Sequence, residues 1–147
     1  MKKLFLATIT TLLMVNCSTN DSYEDNPYIP DYSFDTGTLI NTNLPKYNAL
    51  NFPGNYILLD SPYGVNGVVL YYIGAGMYTA FELTDPNHAI TSCSTLEVNG
   101  IIATCDCDDD NSYNIVNGYP ESDTTGEYTL KPYFVTVSGT TIRVYNN

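Results

Sequence analysis

The sequence predicts an all-β domain, a sandwich or barrel of short antiparallel strands, on three observations. Strand-favouring Tyr, Thr, Val and Ile dominate the apolar content, with 14 Tyr and no Trp. Ten Gly and eight Pro punctuate the chain at short intervals. No stretch after the first 16 residues carries a convincing amphipathic-helix period. The 147 residues allow one domain, and 44% hydrophobic against 14% charged residues excludes both charge-rich disorder and a coiled coil.

The elements follow in order. Residues 55–60 (NYILLD) form a strand after Pro53-Gly54, and residues 67–73 (GVVLYYI) another, after the turn Gly64-Val65-Asn66-Gly67. Residues 77–83 (MYTAFEL) alternate, with Tyr78, Ala80 and Glu82 on one face and Met77, Thr79, Phe81 and Leu83 on the other. Residues 96–98 and 101–104 flank Asn99-Gly100, a two-residue hairpin signal. Residues 113–116 run into Asn117-Gly118, and residues 134–137 and 141–145 close the chain as a hairpin around Ser138-Gly139-Thr140. Val69, Leu70, Phe81, Ile102 and Val135 are candidate core residues.

The first 16 residues read as an address. Lys2 and Lys3 precede a 12-residue apolar run, LFLATITTLLMV, too short to span a bilayer. Cys17 follows directly, which resembles a bacterial lipobox, although Met14 and Asn16 replace its usual Leu and small residue. That resemblance implies acylation of Cys17, a membrane anchor without a transmembrane helix, and an outer-membrane lipoprotein of the cell envelope, periplasmic or surface-exposed. A plain secretory signal is the alternative, and either exports the chain. The expected organisation is a signal at 1–16, an acidic extended tether at 17–38 with Pro27 and Pro30, and the β domain at 39–147. Without the signal, Lys46, Lys131 and Arg143 stand against 16 acids, a net charge of −13. Such a chain repels phosphate backbones, so nucleic acid is not an expected partner.

Two loops hold the unusual residues. The first contains Asp85-Pro86-Asn87-His88 and Cys93; the second is Cys105-Asp106-Cys107-Asp108-Asp109-Asp110-Asn111, with the 96–104 hairpin between them. This order resembles the Rieske iron–sulfur domain over roughly residues 54–146: a strand entering a first box, a hairpin, a second box of the form Cys-x-Cys, a Tyr-containing strand and Gly (residues 112–118), and a closing pattern LKPYFVTVSG followed by TIRVY. The resemblance implies ligands at Asp85 and Asn87 in box one and at Cys105 and Asp108 in box two. The family uses Cys and His at these places, two thiolates on one iron and two imidazoles on the other. Only Cys105 keeps its type, and His88, one residue late, is the single His in the chain. A degenerate domain without a cofactor is therefore expected, acting in binding or structural interaction rather than as an enzyme. A [2Fe-2S] electron-transfer protein is the alternative.

The resemblance also implies a disulfide between the loops, Cys93 with Cys107, closing a segment worth about 3 kcal/mol in the chain-entropy model. Cys105 is then free; Cys93–Cys105 is the other pairing, and the sequence leaves the choice open. A second chemistry rests on Asp106, Asp108 and Asp110, alternate positions as in calcium loops, for Ca2+ with its roughly six to eight oxygens. Asn111 and Asn117 stand where such loops want Gly and Glu, so a solvated acidic loop competes with it. His88 reads as a surface or hydrogen-bonding residue, since no orienting partner is evident.

Overall fold

The computed structural model describes residues 26–147. The signal segment, Cys17 and residues 17–25 of the expected tether lie outside the described residues. Ten strands, all paired antiparallel, make three small sheets, which meets the all-β expectation. In the first, β10 (Thr141–Asn146) pairs along one edge with β1 (Phe34–Asp35) and β2 (Ile40–Asn41), and along the other with β9 (Phe134–Ser138). The second is a meander of β3 (Tyr56–Leu59), β4 (Val68–Gly74) and β5 (Met77–Glu82). The third joins β6 (Leu96–Asn99), β7 (Ile102–Cys105) and β8 (Ser112–Asn114).

The middle sheet is buried on both faces. Val68 and Leu70 of β4 and Ala80 of β5 pack with Ile40, Leu50, Ile142 and Val144 in one core. Val69 and Tyr71 of β4 and Phe81 of β5 pack with Leu96, Ala103, Tyr113 and Ile115 in a second. Side chains alternate along a strand, so one strand serves two cores only when a layer covers each face. Of the expected core, Val69, Leu70 and Phe81 are buried, while Ile102 and Val135 are half-buried.

Three differences from the sequence expectation have physical causes. The tether does not extend to residue 38. Asn26, Ile29 and Thr36 are buried, β1 pairs with the end of β10, and Arg143 grips Asp35 through two hydrogen bonds, so residues 26–38 belong to the domain. A stretch of little more than two turns of period 3 carries no helix signal in the sequence, yet Pro45–Asn51 forms a 3-10 helix, with Pro at its start and Tyr47 and Leu50 buried on one side. In the β6–β7 hairpin Asn99 pairs with Ile102, so the two loop residues are Gly100 and Ile101 rather than Asn99 and Gly100. Gly100 takes the positive φ of 63° at the first loop position, the type II′ pattern.

The β4–β5 loop is Ala75-Gly76, with φ of 52° and 77°, the type I′ pattern that favours Asn before Gly. Ala75 meets the left-handed region with a Cβ and no polar side chain to compensate. Ala75→Asn is expected to raise stability by about 0.5–1 kcal/mol, read as a higher urea midpoint at unchanged slope.

Candidate functional site

The two loops leave the middle and third sheets side by side. Thr84 bridges Thr95, and Asp85 N–H donates to Ser94 O at 2.9 Å, closing the neck of the first loop. Cys105 N–H donates to Asn111 O at 2.7 Å and closes the second. Cys93 and Cys107 are bonded, with Cα atoms 5.1 Å apart, so a covalent tie joins the loops and Cys105 is the free cysteine among the described residues.

Asp85 is fully buried at the base. Its Oδ1 accepts from the Asn87 N–H at 2.8 Å, a turn formed across Pro86, and from the Tyr113 hydroxyl at 2.7 Å. Its Oδ2 is buried with no hydrogen-bond partner. The Asn87 side chain is taken up by other partners. Its amide donates to Tyr128 O and to the Tyr113 hydroxyl, and its Oδ1 accepts from the Tyr128 N–H. Gly126 is required beside it: a Cβ there would overlap the Asn87 side chain, and the backbone φ is 103°. Asn26 donates to Pro86 O at 2.8 Å, so the N-terminal segment buttresses the first loop.

His88 reaches over this base with its ring partly exposed. Nδ1 lies 2.9 Å from Ala89 O, and a carbonyl only accepts, so Nδ1 carries the proton. In the neutral ring Nε2 then carries the lone pair. It lies 3.3 Å from Cys105 Sγ, 3.6 Å from Asp85 Oδ2 and 3.7 Å from Asp109 Oδ2. Burial pushes the Cys105 thiol up to about 12, with the Asp85 and Asp109 carboxylates adding to the rise against a backbone N–H from Cys107. Without a cation beside it, Cys105 is a neutral and unreactive thiol at pH 7. Burial foremost also raises the Tyr113 hydroxyl, so it stays a donor to Asp85.

The residues singled out from sequence divide accordingly. Asp85, His88 and Cys105 come together. Asn87 is engaged by Tyr113 and Tyr128. Asp106, Asp108 and Asp110 are exposed, and the groups of converging donors among the described residues include none of them. The second loop alternates with the opposite parity to the one read from sequence. Cys107, drawn in by its bond to Cys93, and Asp109 turn inward, and Asp106, Asp108 and Asp110 turn out. The arrangement thus does not bring together the calcium donor set. Asp109, Tyr113, Tyr128 and Asn26 were not read as site residues; their only sequence signals were an acidic run and strand-forming tyrosines.

A [2Fe-2S] centre of Rieske type needs two thiolates and two imidazoles. Here the four positions hold a buried carboxylate, an amide paired to Tyr128, one thiol and an exposed carboxylate, while the neighbouring Cys107 is consumed in a disulfide. These residues do not fit that cluster.

No protein-family model matches the chain, and no curated protein matches it. Among solved structures, it is similar to a chain from the complex of reduced oxygenase and oxidized ferredoxin in carbazole 1,9a-dioxygenase. The identity is 23%, the TM-score 0.42, and the match covers 66% of this chain and 86% of that one.

Proposed function

We propose that the protein is an exported lipoprotein, anchored in the outer membrane through acylated Cys17, whose Rieske-like β domain works without an iron–sulfur cluster as a binding or structural module and not as an enzyme. The order of strand, box, hairpin, box and strand supports the Rieske-like reading, with β5, the β6–β7 hairpin and β8 falling where that order wants them. One observation carries the clusterless reading. The positions that should ligate iron are committed elsewhere, Asn87 to Tyr128 and Tyr113 and Asp85 Oδ1 to Tyr113. The Cys93–Cys107 bond supplies the cross-link between loops that a cluster would otherwise make. The apolar run that ends two residues before Cys17 supports export and anchoring.

Acid-labile sulfide analysis and visible absorbance of protein purified from its membrane test the domain. We expect no stoichiometric sulfide and no [2Fe-2S] absorption, before or after iron–sulfur reconstitution. Stoichiometric sulfide lost in Cys105→Ser would establish the electron-transfer alternative instead. Phase partition tests the anchor. The wild type should enter the detergent-rich phase and Cys17→Ala the aqueous one; a wild type already in water sinks the lipoprotein reading.

A further inference from the structure

We infer that Asp85, His88, Cys105 and Asp109 form a mononuclear binding site for a divalent transition-metal ion of the zinc class, one that clamps the two loops together. One donor atom from each of the four residues lies within 4.8 Å of all the others. In a tetrahedral zinc site with bonds of about 2.0 Å to N or O and about 2.3 Å to S, neighbouring donors stand roughly 3.3–3.6 Å apart. The distances from His88 Nε2, 3.3 Å to Cys105 Sγ, 3.6 Å to Asp85 Oδ2 and 3.7 Å to Asp109 Oδ2, lie close to three of the six edges of such a tetrahedron.

Three further observations point to a cation. Asp85 Oδ2 is buried without a well-formed hydrogen bond, with His88 Nε2 at 3.6 Å and the Cys105 thiol beside the carboxylate. A buried carboxylate oxygen without a donor is costly, and a metal ion satisfies it outright. Asp109 Oδ1 is likewise buried without a partner, while the Oδ2 nearest His88 accepts from the Asn111 side-chain amide at 3.0 Å, which holds the carboxylate beside the ring. His88 is pre-oriented, because its Nδ1–H is held by Ala89 O and Nε2 is left as the donor atom, the arrangement in which protein imidazoles bind metals.

The donor set selects the ion. One imidazole, one sulfur and two carboxylates suit zinc-class ions, whereas Ca2+ wants oxygen alone. Four protein ligands leave no open position, which is the structural rather than the catalytic form. Two donors come from the first loop and two from the second, so the ion would add to the clamp already made by Cys93–Cys107. An open groove of about 670 Å3, bordered by His88, Cys107 and Asp109, gives the ion an entry path. This site is independent of the membrane anchor, and although Asp85 and Cys105 are positions where the family resemblance implies cluster ligands, the ion rests on the geometry of the four side chains.

The test uses the full chain stripped of metal, with reductant withheld so that Cys107 stays bonded and offers no extra thiolate. Zn2+ alone should bind one ion per chain and raise the melting temperature, and Co2+ should give tetrahedral visible bands with a near-ultraviolet thiolate charge-transfer band. Cys105→Ser should abolish that band, and both it and Asp109→Asn should weaken Zn2+ at least about tenfold. Asp109 is partly exposed, so its variant should fold even if Cys105→Ser does not. Asp106→Asn, in the same loop, should bind like the wild type. The inference is overturned by a Co2+ complex without the charge-transfer band, by unchanged Zn2+ affinity in Asp109→Asn, or by equal stabilisation from Ca2+. It is also overturned if Zn2+ produces no shift while His88→Gln lowers the melting of metal-free protein, because the four groups are then an ion-pair cluster only.

Discussion

Glu82→Ala is expected to lower the stability of the domain by about 4 kcal/mol, a large share of the roughly 5–15 kcal/mol that holds an ordinary domain together. Glu82 ends β5 with no exposed surface, and four donors converge on it. Its Oε2 accepts from the Val65 N–H at 2.7 Å and the Tyr133 hydroxyl at 2.6 Å; its Oε1 accepts from the Asn66 N–H at 2.9 Å and the Thr84 hydroxyl at 2.7 Å. The carboxylate therefore pins the loop between β3 and β4 to β5 and to the residue before β9. Removing it strands two backbone N–H groups and two hydroxyls, each costing about 1–3 kcal/mol if left unsatisfied, less whatever water recovers. The packing is close enough to exclude a side chain at Gly64, where a Cβ would overlap Glu82 Oε2 at a φ of 68°. Tyr133→Phe, which removes one donor of the four, is expected to cost only about 1–2 kcal/mol. Urea unfolding of the two variants checks both figures, and a loss below about 1 kcal/mol in Glu82→Ala would show that the carboxylate does not anchor the loop.

The second large effect concerns the loops. The Cys93→Ala/Cys107→Ala double variant is expected to lose about 3 kcal/mol, because the bond closes a sequence separation of 14 residues and removes that freedom from the unfolded chain. Both cysteines are replaced so that the buried Cys105 thiol has no neighbouring loop cysteine with which to form a new bond. Reductant should lower the urea midpoint of the wild type to that of the variant and leave the variant unchanged. A wild type insensitive to reductant, with the bond shown broken by thiol counting, would mean that the hydrogen bonds at the loop necks carry the clamp alone.

What each level of description decided can be followed in particular residues. Strand positions were legible because alternation and turn chemistry are local. The β4, β5, β9 and β10 strands fall within a residue or two of their expected places, and Gly100 and Gly139 mark tight hairpins as glycine should. Even there the Asn99-Gly100 pair misled by one residue, since the ladder register and not the dipeptide decides which residues form the loop. The two unusual loops were also legible, from Cys, His and Asp concentrated where little else is charged.

The sequence by itself thus determined an all-β class, the succession of strands along the chain, and two loops on either side of one hairpin that concentrate the unusual residues. Tertiary structure alone decided which faces are buried and which donors meet. The alternation in β5 is the same whether one face or both are covered, and Glu82 becomes a buried anchor only because Tyr133 and the 65–66 backbone arrive from distant parts of the chain. Residues 26–38 look like tether by composition and join the domain because β10 offers them a free edge and Lys131 and Arg143 offer them charge partners. Asp109 looks no different from Asp108 in the sequence. The bond between Cys93 and Cys107 sets the parity of the second loop, and that parity carries Asp109 to His88 and turns Asp108 to solvent.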